Sequence, residues 1–560
     1  MSAADAPRTP GPVRAPDRSR LNAASRTAAL RAATSGEVDL VVIGGGVTGA
    51  GCALDAAARG LSVVLVEAGD LAAGTSSRSG KTFHGGLRYL EQLNFPLVST
   101  ALRERDLMVG RLCPHLTRPE PFLYPLTRHW ERAYAGAGIL LYDIMARRGR
   151  AVPRHRHFTR TGALRQAPAL NPRAITGGIQ YFDVRVDDAR HTMTLARTAS
   201  EHGAQIIPRA RVVEVLRHGV QVTGVTVEDT LTARLHGIQC RAVINATGVW
   251  SAGLQQLAGD STFSVRPAKG VHLVVARETI DSATGILARA EDSIIVIRRW
   301  WDHWIVGTTD TPWDGPLGEP VAGESDIDYL LRNTNRYLRT PLRRRDVVGV
   351  YAGLRPLLTP AGSDTAATSA LSRDHSVLPG PEGMVTIVGG KYTTYRPMAA
   401  DAVDAAVRWI GRDIPPSRTA FLQLTGAADW EAVRGRADAL ARRHGVHRAH
   451  VERMLGRYGD RTDEVLHPVA EDASLGRPVG DVPGYLAAEY LYAVTDEGAM
   501  TLEDVLSRRT HVAMEAADGG VGAALRVGRI VAGALGWTEA DITAQVAAYA
   551  AMVTRDRAAL

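Results

Sequence analysis

Lysine is the scarcest charged residue of this chain, and long apolar runs are missing. Only Lys81, Lys269 and Lys391 are lysine among the 66 lysine and arginine residues. No run reaches the ~18 apolar residues that a membrane span requires. The best candidate, residues 135–146, is shorter and contains Asp143. We therefore predict no membrane-spanning helix, so that any membrane contact is peripheral.

Cysteine and aromatic residues are also few. Cys52, Cys113 and Cys240 are widely spaced, which excludes a disulfide framework, a c-type haem site and an all-cysteine iron–sulfur cluster. No cluster of histidine, cysteine and aspartate has metal-ligand spacing, so no metal is predicted. The net charge of +7 would suit an anionic lipid surface, a nucleic acid or small anionic substrates. Aromatic residues make up only 6% and no basic patch alternates with them, which argues against a nucleic acid.

The pattern along the 560 residues predicts an α/β fold in three parts. Residues 1–36 hold six arginines and no periodic apolar face, and we predict a flexible tail there, with a transit peptide as the alternative. Residues 37–410 alternate short strands with few helices, which predicts a Rossmann-like nucleotide-binding domain with an interleaved, mainly antiparallel substrate domain. In residues 411–560 apolar residues recur at intervals of three and four, which predicts a helical C-terminal domain.

A glycine-rich motif follows the first predicted strand. Gly44, Gly46 and Gly49 form G-x-G-x-x-G, and Glu67 ends the next strand 18 residues beyond Gly49. In such a unit the glycines allow a tight turn, close approach to a pyrophosphate and helix packing, while the acid binds a ribose hydroxyl. The motif therefore predicts a dinucleotide site, and by itself it suits FAD or NAD.

Three later segments favour FAD. The loop after Glu67 is rich in donors, and the strands 242–248 and 384–391 each run into a turn of small residues. Ligands in these folds lie beyond the carboxyl ends of parallel strands, so these strand ends would line one extended dinucleotide. The cofactor contacts that we predict in these segments, besides the motif above, are Thr75, Ser76, Ser77, Lys81, Gly85, Gly86, Ala246, Gly248, Gly390 and Thr393.

The same segments carry a family resemblance. GTSSRSGKTFHGGLRYLE, FDVRVDDAR, NATGVWS, KGVHLVV, IVGTTD, GLRPL and GGKYTTYR resemble, in order and spacing, the FAD-dependent glycerol-3-phosphate dehydrogenases. The resemblance implies noncovalent FAD, oxidation of sn-glycerol 3-phosphate to dihydroxyacetone phosphate, and electron delivery to a membrane quinone. It implies a cytoplasmic protein bound peripherally to the anionic inner face of the membrane. Gly80 departs from the family pattern, which has a serine before the lysine.

The resemblance also suggests which cations and aromatic residues bind the substrate. Arg88 and Arg355 suit a phosphate because a guanidinium binds it bidentately and stays charged, with Arg396 as a weaker third. Lysine is a compact donor with a tunable pKa, so we expect Lys391 near the substrate and the flavin, Lys269 on the substrate side and Lys81 over the cofactor. Tyr89 is expected to pack on flavin or substrate.

Two histidines compete for the role of the base that takes the hydroxyl proton. We favour His84, since HGG places it on a close-approach loop beside Arg88, whereas His272 lies on a predicted strand and could orient the substrate instead. Asp187 and Asp188 fall near the site by resemblance, and salt bridges with Arg185 or Arg190 explain them at least as well as catalysis does.

The sequence leaves three other functions open. A glycerol-phosphate oxidase that produces hydrogen peroxide would have a similar substrate site. A flavoprotein acting on RNA, and a scaffold with a relic flavin site, are less favoured by the intact motifs. The oligomeric state is open as well, a homodimer included.

Overall fold

The computed structural model describes residues 18–146, 151–260, 262–291, 293–360, 374–480 and 484–560. The strands are β1 (Val38–Ile43), β2 (Val63–Val66), β3 (Thr82–Phe83), β4 (Thr117–Leu126), β5 (Arg156–Thr159), β6 (Gly177–Val186), β7 (Gln205–Ile207), β8 (Ala210–His218), β9 (Gln221–Asp229), β10 (Arg234–Asn245), β11 (Phe263–Ala276), β12 (Gly285–Arg289), β13 (Ile294–Trp300), β14 (His303–Gly307), β15 (Thr311–Pro312), β16 (Val347–Pro360), β17 (His375–Pro379) and β18 (Met384–Gly389).

Helices connect and cover these strands. They are α1 (Ala23–Ala33), α2 (Val47–Ala58), α3 (Arg88–Glu91), α4 (Phe95–Leu107), α5 (Glu131–Met145), α6 (Arg160–Gln166), α7 (Asp188–Glu201), α8 (Ser251–Leu257), α9 (Glu324–Asn335), α10 (Tyr395–Ala406), α11 (Trp430–Arg434), α12 (Ala437–His444), α13 (Arg448–Tyr458), α14 (Thr462–Leu466), α15 (Ala487–Thr495), α16 (Val512–Glu515), α17 (Val521–Leu535) and α18 (Glu539–Asp556). Among the described residues, no helix combines the length and apolar character that crossing a bilayer requires.

The first sheet forms the nucleotide-binding core. Its order is β17-β18-β10-β1-β2-β7, with β18, β10, β1, β2 and β7 parallel to one another. The strands are nearly continuous apolar runs because both faces are covered, one by α2, α7 and α10 and the other by α1 and the β8–β9 hairpin. The carboxyl ends of β1, β10 and β18 therefore meet at one edge.

The second sheet carries the other half of the site. Its order is β15-β11-β14-β13-β12-β4-β6-β3, with β16 paired to β11 and β5 to β6. Its described pairs are antiparallel, apart from β12 and β4. Because its strands come from segments on both sides of β7–β10 in the chain, the domain is interleaved with the first, as predicted.

The N-terminal region corrects one prediction. Residues 23–33, expected within a flexible tail, form α1, which buries Ala29 and Ala33 against the first sheet. The guanidinium of Arg26 pairs with Asp229 at 2.7 Å, and both side chains are buried. The prediction of a flexible tail is therefore wrong for this helix, and residues 1–17 lie outside the described part of the chain.

Beyond α10 the chain is helical, as the period of three and four predicted. Trp430, Ala437, Val451 and Met454 share one apolar core in α11–α13, and a second core joins α15, α17 and α18. Thr501 and Asp504 exchange reciprocal hydrogen bonds between side chains and backbone N–H groups, which form a capping box.

Candidate active site

One cavity of about 1720 Å³ runs between the two sheets. At one end lie the turn after β1 and the N-terminus of α2. At the other end lie side chains of β11, β13 and β16, together with the loop that connects β18 to α10. The residues predicted from sequence that line it are Gly44, Gly46, Glu67, Thr75, Ser76, His84, Gly86, Tyr89, Ala246, Gly248, His272, Arg355, Gly390 and Lys391. The fold thus gathers residues from six separate segments around one space.

The glycine turn has no room for side chains. Gly44 has φ +113°, and a Cβ there would lie 2.6 Å from the carbonyl oxygen of Ala246. A Cβ on Gly49 would lie 1.9 Å from the carbonyl oxygen of Gly44, far inside van der Waals contact. Gly46 is the N-cap of α2, and Gly46, Val47 and Thr48 line the cavity. This end therefore offers a helix N-terminus to an anion.

Glu67 stands at the end of β2. Its Oε2 accepts a hydrogen bond from the Gly45 N–H at 2.6 Å and its Oε1 accepts one from the Gly69 N–H at 2.7 Å. Burial raises the pKa of this carboxyl, while the two backbone donors oppose the shift. The acid is thereby held in one orientation beside the glycine turn.

Cations and histidines collect at the opposite end. The Arg355 guanidinium donates to Asp310 Oδ1 and to Thr308 Oγ1, each at 3.1 Å. Lys391 Nζ lies 3.4 Å from the centre of the Tyr89 ring, where the π-face attracts the charge. His272 stacks on Tyr351 with ring centres 4.8 Å apart. This end of the cavity therefore presents the cations of Arg355 and Lys391, with Asp310 beside the first of them.

Both candidate bases are held neutral. Burial, helped by the charges of Lys391 and Arg105, lowers the pKa of His84 to about 4. Burial and the nearby Arg355 lower the pKa of His272 well below its ordinary value. A neutral imidazole can accept a proton, so either histidine meets the first requirement of a base at neutral pH.

Two of the three lysines point away from the cavity, contrary to expectation. Lys81 Nζ forms a buried ion pair with Asp188 at 2.6 Å and donates to the Ser77 carbonyl at 3.0 Å. Lys269 Nζ pairs with Asp326 at 2.7 Å. Neither side chain belongs to the cavity wall. The compact ammonium of Lys81 fits a closed space between Trp300 and Tyr351, so packing accounts for this lysine.

Several other residues that the sequence predicted for the site do not line the cavity. Gly49, Ser77, Gly85 and Thr393 are absent from the lining, although Thr393 Oγ1 accepts a hydrogen bond from the His84 N–H at 3.1 Å. Arg396 pairs with buried Glu104 through two hydrogen bonds of 2.6 and 2.7 Å, which leaves it no part in the site. The side chain of Arg88 lies outside the described part of the structure.

The two aspartates of VDDAR are structural, with partners other than those expected. Asp187 accepts a hydrogen bond from His511 at 2.7 Å, and the partner of Asp188 is Lys81. The side chains of His511 and Arg457 hold the pKa of Asp187 below its usual range, despite its burial. Neither carboxylate forms an ion pair with Arg185 or Arg190 among the contacts that the structure describes.

Comparisons with known proteins agree with this geometry. Residues 39–396 match the family described as FAD dependent oxidoreductase, and residues 417–542 match the C-terminal domain of alpha-glycerophosphate oxidase. Glycerol-3-phosphate dehydrogenase 2 of Mycobacterium tuberculosis (strain ATCC 25618 / H37Rv) is 49% identical over 550 residues, which cover 97% of this chain and 93% of that protein. The chain belongs to the FAD-dependent glycerol-3-phosphate dehydrogenase family.

More distant members of the glycerol-3-phosphate dehydrogenase family and solved structures extend the likeness. The mitochondrial enzyme of Homo sapiens is 35% identical over 500 residues, covering 85% of this chain and 68% of that protein. The glycerol-3-phosphate dehydrogenase of Bacillus halodurans complexed with FAD superposes with a TM-score of 0.78 at 28% identity, covering 95% of this chain and 98% of that chain. The L-alpha-glycerophosphate oxidase of Mycoplasma pneumoniae shares the fold at a TM-score of 0.55 and 18% identity, covering 68% and 97%.

The cofactor of this dehydrogenase family is FAD, and the cavity fits it. The turn that a Cβ would fill at Gly44, the N-terminus of α2 and the oriented Glu67 match a pyrophosphate and a ribose. The cavity exceeds the ~300–1,000 Å³ of ordinary small-molecule pockets, as an extended dinucleotide with a substrate requires. Within the described ranges, no group of three histidine, cysteine, aspartate or glutamate side chains could hold a metal.

Arg298, which none of the sequence motifs singled out, lines the same cavity. Its Nη1 donates to the Gly80 carbonyl at 2.7 Å and to Thr82 Oγ1 at 2.6 Å, so it fixes the loop before His84. The signal was available in the alternation of β13: Ile294, Val296 and Arg298 face the cavity, whereas Arg299 is exposed.

The low pKa of His84 predicts an unusual pH profile for this dehydrogenase. If His84 is the base, kcat should stay flat from pH 8 down to about 5 and fall only as the imidazole protonates near 4. The profile uses kcat because kcat/KM would also report the second ionisation of the substrate phosphate, at about pH 6. A His84→Gln variant should lose about 10²- to 10⁴-fold, the usual contribution of a positioned base. The measurement is kcat against pH at saturating substrate for the wild type, His84→Gln and His272→Gln. A larger loss in His272→Gln, or a wild-type inflection near pH 6.5, would contradict the assignment.

Proposed function

We propose that this flavoenzyme oxidises sn-glycerol 3-phosphate to dihydroxyacetone phosphate and passes the electrons to a membrane quinone. The observation that carries the substrate assignment is the combination of Arg355, Lys391 and a neutral His84 on the wall of one cavity. A phosphate monoester with an adjacent secondary alcohol needs these groups: cations for the anion and a base for the hydroxyl.

Arg355 is suited to the phosphate. Asp310 and Thr308 hold its guanidinium in place, so the fork is oriented before a ligand arrives. A guanidinium keeps its charge at any working pH and matches phosphate oxygens in pairs. Lys391, packed over Tyr89, adds a second charge with a smaller head that can approach the substrate hydroxyl.

His84 is suited to the proton. Its imidazole is neutral at pH 7, and its backbone N–H is fixed by Thr393. His84 would remove the hydroxyl proton, and the positive charges of Lys391 and Arg355 would stabilise the alkoxide that develops on the substrate oxygen. FAD, when bound, would supply the acceptor for the hydrogen of the carbinol carbon and its two electrons.

An anaerobic spectrum tests the substrate. Oxidised flavin bands of the purified protein should bleach on addition of sn-glycerol 3-phosphate and persist with glycerol, which lacks the phosphate. Bands that persist with both compounds would leave the assignment of FAD intact and would contradict the assignment of sn-glycerol 3-phosphate as the substrate.

An exposed apolar surface supports the proposal that the protein binds a membrane and reduces a quinone there. We call it the α5 patch; it comprises Leu93, Phe95, Trp130, Tyr134, Leu140, Leu141 and Ile144. Along α5, Tyr134, Leu141 and Ile144 recur at the spacing of one helical face, whereas Ile139 and Tyr142 are buried on the opposite face. A helix that is apolar on two opposite faces needs a second apolar neighbour. A lipid surface provides one, and the net charge of +7 suits anionic lipid.

The α5 patch lies one helix away from the cavity. On the buried face, the Tyr142 hydroxyl accepts a hydrogen bond from the Gly85 N–H at 2.8 Å and donates to Asp183 at 2.7 Å, and Asp183 lines the cavity. Leu93 belongs to the patch, whereas the flanking Gln92 and Asn94 line the cavity. A quinone held in lipid at the patch would therefore be close to the cofactor site of a cytoplasmic protein bound at the inner face of the membrane.

Charges placed in the α5 patch should release the protein from lipid. We expect Leu141→Asp with Ile144→Asp to abolish pelleting with anionic liposomes at low salt and to abolish turnover with a liposomal quinone, while turnover with a soluble dye is kept. Leu235→Asp, at an exposed leucine of β10, is the matched control and should pellet normally. Unchanged pelleting of the double variant would contradict this docking surface.

Oxygen is the alternative acceptor. Hydrogen peroxide measured in air with glycerol 3-phosphate decides between oxygen and a quinone as the acceptor. Stoichiometric peroxide, without stimulation by a quinone, would make the protein an oxidase. The proposal for the substrate would be unaffected.

A further inference from the structure

The helical C-terminal domain reaches the cofactor end of the cavity through buried ion pairs. Asp70 lies three residues beyond Glu67, and its side chain is 1% exposed. Arg509 donates to both oxygens of this carboxylate at 2.7 Å, and Arg508 Nε donates to one of them at 2.6 Å. Two arginines of one domain thus hold a carboxylate that belongs to the nucleotide-binding loop of the other.

A second ionic route ends at the cavity itself. Arg209 lines the cavity, and its Nη2 donates to the two oxygens of Asp504 at 2.7 and 2.6 Å. The backbone N–H of Arg209 also donates to the carbonyl of Gly69 at 2.9 Å, so this residue touches the loop after Glu67. Arg508 joins the routes because it bonds both Asp70 and Asp504.

Asp504 stays ionised although it is buried. The neighbouring arginines hold the pKa of Asp504 far below its usual range despite the opposing effect of burial. A buried pair adds little stability over an apolar pair, but removing one partner leaves an uncompensated charge, which is strongly unfavourable. The arrangement therefore fixes geometry: the loop Glu67–Asp70 cannot move without breaking several charge-assisted hydrogen bonds at once.

We propose that the segment Asp504–Arg509 of the C-terminal domain is a clamp that shapes the adenosine end of the FAD site. Asp504, Arg508 and Arg509 are positioning residues, since they act through Asp70, Arg209 and the loop that carries Glu67. The clamp bonds to Asp70, to Arg209 and to neighbouring residues of its own domain, at the nucleotide end of the cavity. It should consequently control the affinity for FAD without changing the handling of substrate.

Two conservative variants test the clamp. Asp504→Asn keeps the shape and removes the charge, and Arg509→Lys keeps the charge and removes the bidentate fork. For each holoenzyme we expect the dissociation constant of FAD, measured by flavin fluorescence on dilution, to rise at least about tenfold. With FAD in excess, KM and kcat for the substrate should match the wild type.

Arg461→Ala is the matched control. Arg461 also joins the C-terminal domain to α7, through Glu201 at 3.3 Å, but it lies at a partly exposed site that is not part of the cavity wall. We expect its FAD affinity to equal that of the wild type. An unchanged dissociation constant in both clamp variants, or a change equal to that of Arg461→Ala, would overturn the proposal. If Arg509→Lys fails to fold, Asp504→Asn decides alone, and since FAD release is measured without substrate, the result is independent of the proposed reaction.

Discussion

Replacing Lys391 by arginine is expected to lower kcat by about 10²-fold or more while FAD stays bound. Lys391 Nζ lies 3.4 Å from the Tyr89 ring centre, and a Cβ added to Gly86 would meet it at 3.4 Å, so the space around the ammonium is narrow. A guanidinium is wider, planar and unable to give up its proton. Keeping the charge should therefore not keep the function, because the head group must fit beside the reacting hydroxyl.

Lys269→Arg is the natural control for that experiment. Lys269 has the same residue type and an ion pair with Asp326, but it is not part of the cavity wall. Its replacement should leave turnover within about twofold of the wild type. The measurements are the ratio of bound flavin to protein, and single-turnover bleaching with glycerol 3-phosphate. Rapid bleaching in Lys391→Arg would remove the steric argument and leave charge alone as the role of this lysine.

The nucleotide end of the site could be predicted from sequence because its determinants are local. Gly44, Gly49 and Glu67 act through the turn and strand in which they stand, so spacing alone places them. The strand ends at Ala246 and Gly390 join them because parallel strands present their carboxyl ends at one edge. The helical period of Trp430 and Ala437 was sufficient for the C-terminal domain for the same reason.

The predictions that failed depend on partners far away in the sequence. Lys81 and Lys269 stand in the expected motifs, but their ammonium groups turn toward Asp188 and Asp326, which no local pattern connects to them. Helix α1 is largely alanine and shows little amphipathic character, and its docking depends on the pair between Arg26 and Asp229, 203 residues apart. Composition gave no sign of either arrangement.

Gly49→Ala is expected to cost the protein its FAD, although helix propensity alone would favour the change by about 1 kcal/mol. The new Cβ would lie 1.9 Å from the Gly44 carbonyl oxygen, so α2 must move away from the turn that lines the nucleotide end of the cavity. Gly533→Ala, in α17 with nothing within 4 Å of its Cβ, isolates the propensity effect and should be neutral or slightly stabilising.

The ratio of flavin to protein after purification, and an FAD titration of each variant, measure the effect of Gly49→Ala. We expect Gly49→Ala to bind FAD at least about a hundredfold more weakly than the wild type. Gly533→Ala should bind FAD with the affinity of the wild type. Gly46→Ala gives an intermediate case, since its Cβ would meet only Ser76 Oγ at 3.1 Å and would project into the cavity without displacing the helix. A protein that folds but binds FAD less well is the expected result there. Wild-type affinity in both Gly46→Ala and Gly49→Ala would mean that the pyrophosphate does not bind at this turn, because Gly46 permits its close approach to the backbone and Gly49 keeps α2 against the turn.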